Sequence, residues 1–209
     1  MLASLRPHDL LWPSSQEGLR SGSGALPDWC NSTWPVVMRR APTDGPWLPV
    51  GIRGENRSLR HPAFLHKDFI ARCSTPESLI TAWQVHPELL AFNSVAMLKY
   101  LSQILKDLNL PWGPTGSSGF ALATGYSVLR HESDLDLVVR ATKPFTIQQI
   151  KILNSLQDKS LDAECCRIDL QIDTGHGAFA FKEWQNTNKN VLLKTNSGPV
   201  LTEYPWGIV

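Results

Sequence analysis

From Ser133 to Arg140 apolar and polar positions alternate, with Leu135, Leu137 and Val139 set against Asp134 and Asp136. A period of two marks a strand with one face buried. The alternation returns at Ile168, Leu170 and Ile172, which leave Asp169, Gln171 and Asp173 on the opposite face. Helical spacing takes over elsewhere. Between His86-Pro87 and Leu108 an apolar stripe at Leu90, Met97, Leu101, Ile104, Leu105 and Leu108 predicts a helix packed on the core. Thr75 caps a further helix with Pro76 at its first position, and Thr146 with Gln149 forms a capping box for a helix over 146–157.

The remaining segments complete the outline. Ser14 to Gly24 is rich in serine and glycine and reads as a flexible loop. Trp34–Ala41 and Leu48–Gly54 read as strands separated by the turn-forming Pro42-Thr43-Asp44-Gly45-Pro46. After residue 110 the expected order is strand and turn (117–126), strand (134–140), helix (146–157), strand (165–173), helix (177–186) and short strands (190–195, 199–202). This mixture implies an α+β fold: a small β-rich N-terminal domain over 1–80, then a mixed sheet packed with helices over 81–209. No internal repeat is visible.

Composition and charge narrow the function. Of 209 residues 42% are apolar and 19% charged, ordinary for a soluble globular protein, and no apolar run approaches the roughly 20 residues that span a bilayer. Arg6, Pro7 and Asp9 stand where a signal peptide keeps its apolar core, so a cytoplasmic location and no membrane contact are expected. The net charge of +1 argues against a dedicated nucleic-acid binder. It is unevenly spread: residues 36–72 hold seven Lys/Arg against three acids, and residues 131–209 eight against ten. A basic half beside an acidic half suits an anionic substrate bridged to bound cations. Cys30, Cys73 and the adjacent Cys165-Cys166 make no CxxC pair, and six scattered histidines make no HExxH, so zinc is not expected.

Three pieces remain: Gly116-Ser117-Ser118-Gly119, Asp134-Leu135-Asp136, and Asp169. If the two carboxylate-bearing strands are neighbours, Asp134, Asp136 and Asp169 converge on one face. Converging carboxylates repel and are tolerable with cations between them. Oxygen ligands without a histidine pair suit Mg2+ or Mn2+, and paired ions of this kind serve phosphoryl transfer. In the glycine-serine turn, backbone N–H groups at Gly116, Ser117 and Ser118 can approach phosphate oxygens closely, with hydroxyls as added donors. Each piece has a plainer reading: a common turn, a surface DxD, and an aspartate ion-paired to Arg167.

In this order the three pieces resemble the DNA polymerase beta-like nucleotidyltransferases. The chain departs from the compact members in the seventeen positions between Ser117 and Asp134, so Phe120–Glu132 is expected to form an extra strand and turn in place of the usual short helix. More specifically, Arg6-Pro7-His8-Asp9-Leu10, Trp34-Pro35-Val36-Val37-x-Arg39-Arg40, Pro49-Val50-Gly51-Ile52-Arg53-Gly54, Gly113-Pro114-Thr115-Gly116-Ser117-x-Gly119-Phe120, Ser133-Asp134-Leu135-Asp136-Leu137 and Val191-Leu192-Leu193-Lys194-Thr195 are similar to the phosphoribosyl-dephospho-CoA transferase family of bacterial malonate decarboxylase. That resemblance covers nearly the whole chain. It implies triphosphoribosyl-dephospho-CoA as donor, a serine of the apo acyl-carrier subunit of malonate decarboxylase as acceptor, and pyrophosphate as the leaving group. It also implies metals on Asp134 and Asp136 with Asp169 completing the site; Asp169 is further expected to help accept the serine proton. Gly116 and Ser117 would hold the terminal phosphates, with Lys194 and one or more of Arg39, Arg40, Arg53 and Arg57 as further phosphate contacts. Two other readings stand beside it: a nucleotidyltransferase of the same fold using an ordinary nucleoside triphosphate, and a non-catalytic nucleotide-binding assembly factor.

Overall fold

The computed structural model describes residues 5–31, 33–43, 45–56, 58–126, 128–162, 166–186 and 190–207, with side chains of 157–162 excepted. The chain forms two compact units, Met1–Thr75 and Pro76–Val209. Each has its own six-stranded sheet and its own core. The fold is α+β, and no helix among the described residues is long and apolar enough to cross a membrane.

In the first unit the strands are β1 (Leu10–Pro13), β2 (Leu19–Ser21), β3 (Val36–Met38), β4 (Trp47–Arg53), β5 (Arg60–His66) and β6 (Ile70–Ser74), ordered β2-β5-β4-β3-β1-β6. All their pairings are antiparallel. Leu11, Leu19, Val36, Met38, Val50, Ile52, Ala63 and Leu65 form the core, each near-complete burial of a leucine contributing about 1.5–3 kcal/mol. The expected strands over 34–41 and 48–54 are β3 and β4. The serine-glycine loop is a correction, because it contains a 3-10 turn, Gln16–Gly18, and then β2. Leu19 drives this: it lies opposite Leu65 and is buried with it. Asp44, in the expected turn, and Arg57 lie outside the described residues.

The second unit holds α1 (Asn93–Ile104), β7 (Trp112–Pro114), α2 (Gly116–Thr124), β8 (Leu135–Arg140), α3 (Ile147–Asp162), β9 (Ile168–Asp173), β10 (Gly177–Ala180), α4 (Phe181–Asn186), β11 (Val191–Thr195) and β12 (Gly198–Thr202). The sheet runs β12-β11-β10-β9-β8-β7, with β8 and β9 parallel and every other pair antiparallel. A parallel pair needs a crossover, which α3 supplies. The expected capping box starts it: Thr146 N–H donates to Gln149 Oε1 at 2.9 Å, and Gln149 N–H donates to Thr146 Oγ1 at 3.2 Å.

Four expected elements come out differently. The 86–108 helix is broken into a 3-10 stretch (Pro87–Ala91), α1 and a second 3-10 stretch (Leu105–Leu108), and the helix expected after Thr75 is the short 3-10 helix Pro76–Leu79. The strand and turn expected over 117–126 is instead helix α2. The helix expected over 177–186 begins as strand β10, antiparallel to both β9 and β11, and becomes helical at Phe181.

Candidate functional site

β8 and β9 run side by side in a register that places Asp136 directly beside Asp169. Their flanking residues Leu135, Leu137, Ile168 and Leu170 are buried in the core, so the two carboxylates occupy the opposite face. Strand spacing sets their backbones about 4.8 Å apart. Asp134 is one residue ahead of β8, two positions from Asp136 and half-buried; Leu135 N–H donates to Arg167 O at 2.8 Å and so holds this end of the strand to β9.

The glycine-led turn meets the same point. Thr115 N–H donates to Asp136 O at 2.8 Å, and α2 starts at the next residue. Gly116 has φ of 59°, and a Cβ there would lie 1.9 Å from Asp136 Oδ2. Only a residue without a side chain lets the helix begin against that carboxylate. Gly119 answers a second close approach, since a Cβ on it would lie 2.7 Å from Pro114 O. The two serines separate. Ser117 is partly exposed; Ser118 is fully buried, with no hydrogen-bond partner for its Oγ among the described residues, so it turns away from any ligand at this surface.

Asp169 Oδ1 accepts from Arg167 Nη2 at 2.9 Å, and both side chains are well exposed. The plainer expectation for Asp169 is therefore met, although an exposed pair of this kind is worth little and yields readily to a ligand. Among the described residues no three His, Cys, Asp or Glu side chains are gathered into a metal-holding group. Asp136 and Asp169 are the carboxylates best placed to share a cation, and a donor set of carboxylate oxygens fits a hard divalent ion.

The face is not polar along its whole length. Val138 is fully buried, and at the far end Arg140 pairs in register with Asp173, both buried. Arg140 Nη1 donates to Asp173 Oδ2 at 2.5 Å and its Nε to Glu77 Oε1 at 3.2 Å, while Asp173 Oδ1 accepts from Gly175 N–H at 3.0 Å. Asp173, expected on an open polar face, is locked in this buried group. Sequence reasoning passed over Arg140, yet its phase, two and four positions after Val138 and Asp136, puts it on this face.

Lys194 is exposed on β11 and shares this face through Ala178, which pairs with both Lys194 and Asp173. It stands two strand spacings from β9 and four residues along from Asp169, roughly 10 and 13 Å, so it is not gathered with the carboxylates. Arg39 and Arg53 belong to the first unit; Arg39 is exposed and Arg53 is 8% exposed. Among the thiols, burial pushes Cys30 up, and burial with the Asp9 charge pushes Cys73 up to about 11, against a smaller opposing effect of Arg6. Both thiols stay protonated at neutral pH and are poor nucleophiles. Cys166 is buried and free, and Cys165 lies outside the described residues.

A carboxylate pair on parallel strands, with a glycine-started helix against one member, defines a two-unit α+β protein with an acidic site on its second sheet. Residues 79–205 match the family model described as Phosphoribosyl-dephospho-CoA transferase MdcG C-terminal domain, and residues 6–76 match its MdcG N-terminal domain. The chain belongs to the phosphoribosyl-dephospho-CoA transferase family. It is 38% identical to a phosphoribosyl-dephospho-CoA transferase of Pseudomonas putida over 98% of this chain and 96% of that one. It is 37% identical to the enzyme so named in Azotobacter vinelandii (96% and 94% covered), and 36% identical to that of Klebsiella pneumoniae (99% and 98%). No solved structure matches it significantly.

Proposed function

We propose that this protein transfers the phosphoribosyl-dephospho-CoA group from triphosphoribosyl-dephospho-CoA to a serine of the apo acyl-carrier subunit of malonate decarboxylase, releasing pyrophosphate. The observation that carries the reading is the register of Asp136 beside Asp169 on parallel strands, with the start of α2 against Asp136. Family membership supplies the transferred group.

Asp136 and Asp169, with Asp134 next to them, would hold Mg2+ or Mn2+. When bound, such ions neutralise the charge of the triphosphate and of the leaving pyrophosphate. The first turn of α2 contributes what any helix start contributes: N–H groups without partners inside the helix, aimed along an axis that favours anions. Gly116 N–H and Ser117 N–H with its hydroxyl would grip the terminal phosphates there. Lys194, further along the same face, would meet a more distant part of a long donor. The acceptor serine oxygen bonds to the α phosphorus, the bond from that phosphorus to the pyrophosphate oxygen breaks, and the electron pair leaves with pyrophosphate. Asp169, once released from Arg167, would take the serine proton.

Mass spectrometry of the apo carrier subunit after incubation with enzyme, donor and Mg2+ tests the reading. A mass gain equal to the phosphoribosyl-dephospho-CoA group on one serine, with one pyrophosphate released per carrier, is expected. An unmodified carrier, or pyrophosphate release with ATP, GTP, CTP or UTP in place of the donor, would contradict it.

A further inference from the structure

Strands β1 to β6 contain no aspartate or glutamate, and their arginines fall on one face of the sheet. Arg20 lies opposite Phe64 and Phe64 opposite Pro49; Arg53 lies opposite Arg60; Gly51 lies opposite Val37, and Val37 opposite Leu10. Two positions beyond Leu10, Trp12 lies opposite Arg72. Arg39 follows β3, with its N–H donating to Pro49 O at 2.9 Å and its Cδ 3.4 Å from where a Gly51 Cβ would stand. The other face carries Val50, Ile52, Ala63 and Leu65, which are core. Arg20, Arg39, Arg60 and Arg72 are exposed; the acids of this unit sit in turns, as Glu17, Glu55 and Asp68 do.

The layout decides what such a face can bind. Arg20 and Arg39 share one row across the sheet, and Arg60 and Arg72 another, four residues or about 13 Å away. Arg60 and Arg72 are themselves four strand spacings apart, about 19 Å. A donor whose negative charge is gathered in one triphosphate and one diphosphate cannot engage four arginines spread over such a field, so a macromolecule is the fitting partner. The aromatic rings on this face are already covered: Arg72 stacks 3.6 Å over Trp12, and Arg20 lies 4.1 Å from Trp47 and 5.2 Å from Phe64. Rings under guanidinium groups are not platforms for nucleic-acid bases. The exposed Arg72 guanidinium, stacked by its face, presents its N–H edge, which suits carboxylates.

We infer that this arginine face docks the protein acceptor of the transfer reaction through an acidic surface of that acceptor. The inference rests on the reading that a protein accepts the group. It assigns Arg39 to the acceptor instead of to the phosphates of the donor.

The test uses full-length protein with Arg60→Glu/Arg72→Glu, and Arg60→Gln alone as a milder variant, both checked by melting temperature. Binding of the apo carrier subunit is measured without donor, and KM values for carrier and donor are measured separately. At low salt the double variant is expected to raise carrier Kd and KM about tenfold, with the single variant between it and the wild type and donor KM unchanged. The difference should shrink at high salt. An unchanged carrier Kd, a rise in donor KM instead, no carrier binding by the wild type, or displacement of the carrier by a single-stranded RNA would each overturn the assignment. Salt-sensitive carrier binding without transfer would leave the surface standing and sink the proposed reaction instead.

Discussion

At the scale of single residues, the two serines after Gly116 make opposite claims. Ser117 is partly exposed at the start of α2, whereas the buried Ser118 hydroxyl lacks a hydrogen-bond partner among the described residues. A buried donor without a partner costs about 1–3 kcal/mol, so removing it is expected to be neutral or stabilising. Ser118→Ala should therefore keep transfer activity and not lower the melting temperature, while Ser117→Ala should raise donor KM at unchanged stability. The reverse pattern in steady-state kinetics would mean that the helix start is misassigned. His8 shows how a family-like stretch resolves into local geometry. It sits at φ of 77° in a turn where Arg6 N–H donates to the buried Asp9 Oδ2 at 2.8 Å, so that part of the motif secures the entry to β1.

At the scale of elements, the parallel pair β8–β9 is the frame on which the site depends, and its far end is held by charge. Arg140 links Glu77 and Asp173 in a group where both Arg140 and Asp173 are buried. Removing one partner of such a group leaves uncompensated buried charge, at a cost of about 3–5 kcal/mol. Arg140→Met is expected to lower the free energy of unfolding by that amount, read as a lower denaturant midpoint at an unchanged slope; a loss under about 1 kcal/mol would show that the group contributes little. The strands bearing the carboxylates were legible in the sequence because alternation with Leu and Ile is a local signal, and the facing of Asp136 and Asp169 followed once the strands were neighbours. Helix α2 was not legible. Its glycines look like turn residues, but they answer contacts with Asp136 and Pro114 that come from elsewhere in the chain. β10 was hidden for the same reason: Gly177 admits the close approach of Leu193, which a Cβ would meet at 2.7 Å, and its strand character comes from partners on both sides. β1, β2, β5 and β6 are short or carry proline and histidine, and they are specified by pairing more than by pattern.

At the scale of the whole molecule, the proposed chemistry and the proposed recognition fall on two separately cored units. The second gathers carboxylates beside a helix start; the first lays arginines across an acid-free sheet face. That division accounts for a chain of nearly neutral net charge, +1, with a basic stretch over 36–72. The central claim is that the Asp136–Asp169 pair carries the transfer, and the rate of carrier modification by Asp136→Asn tests it most directly. Asp136 is partly exposed and faces the start of α2, outside the apolar core, so the variant should fold with a melting temperature close to that of the wild type. Its single-turnover transfer rate should fall by about a thousandfold or more at saturating donor and Mg2+. A folded Asp136→Asn protein that modifies the carrier at a rate within about tenfold of the wild type would contradict the account.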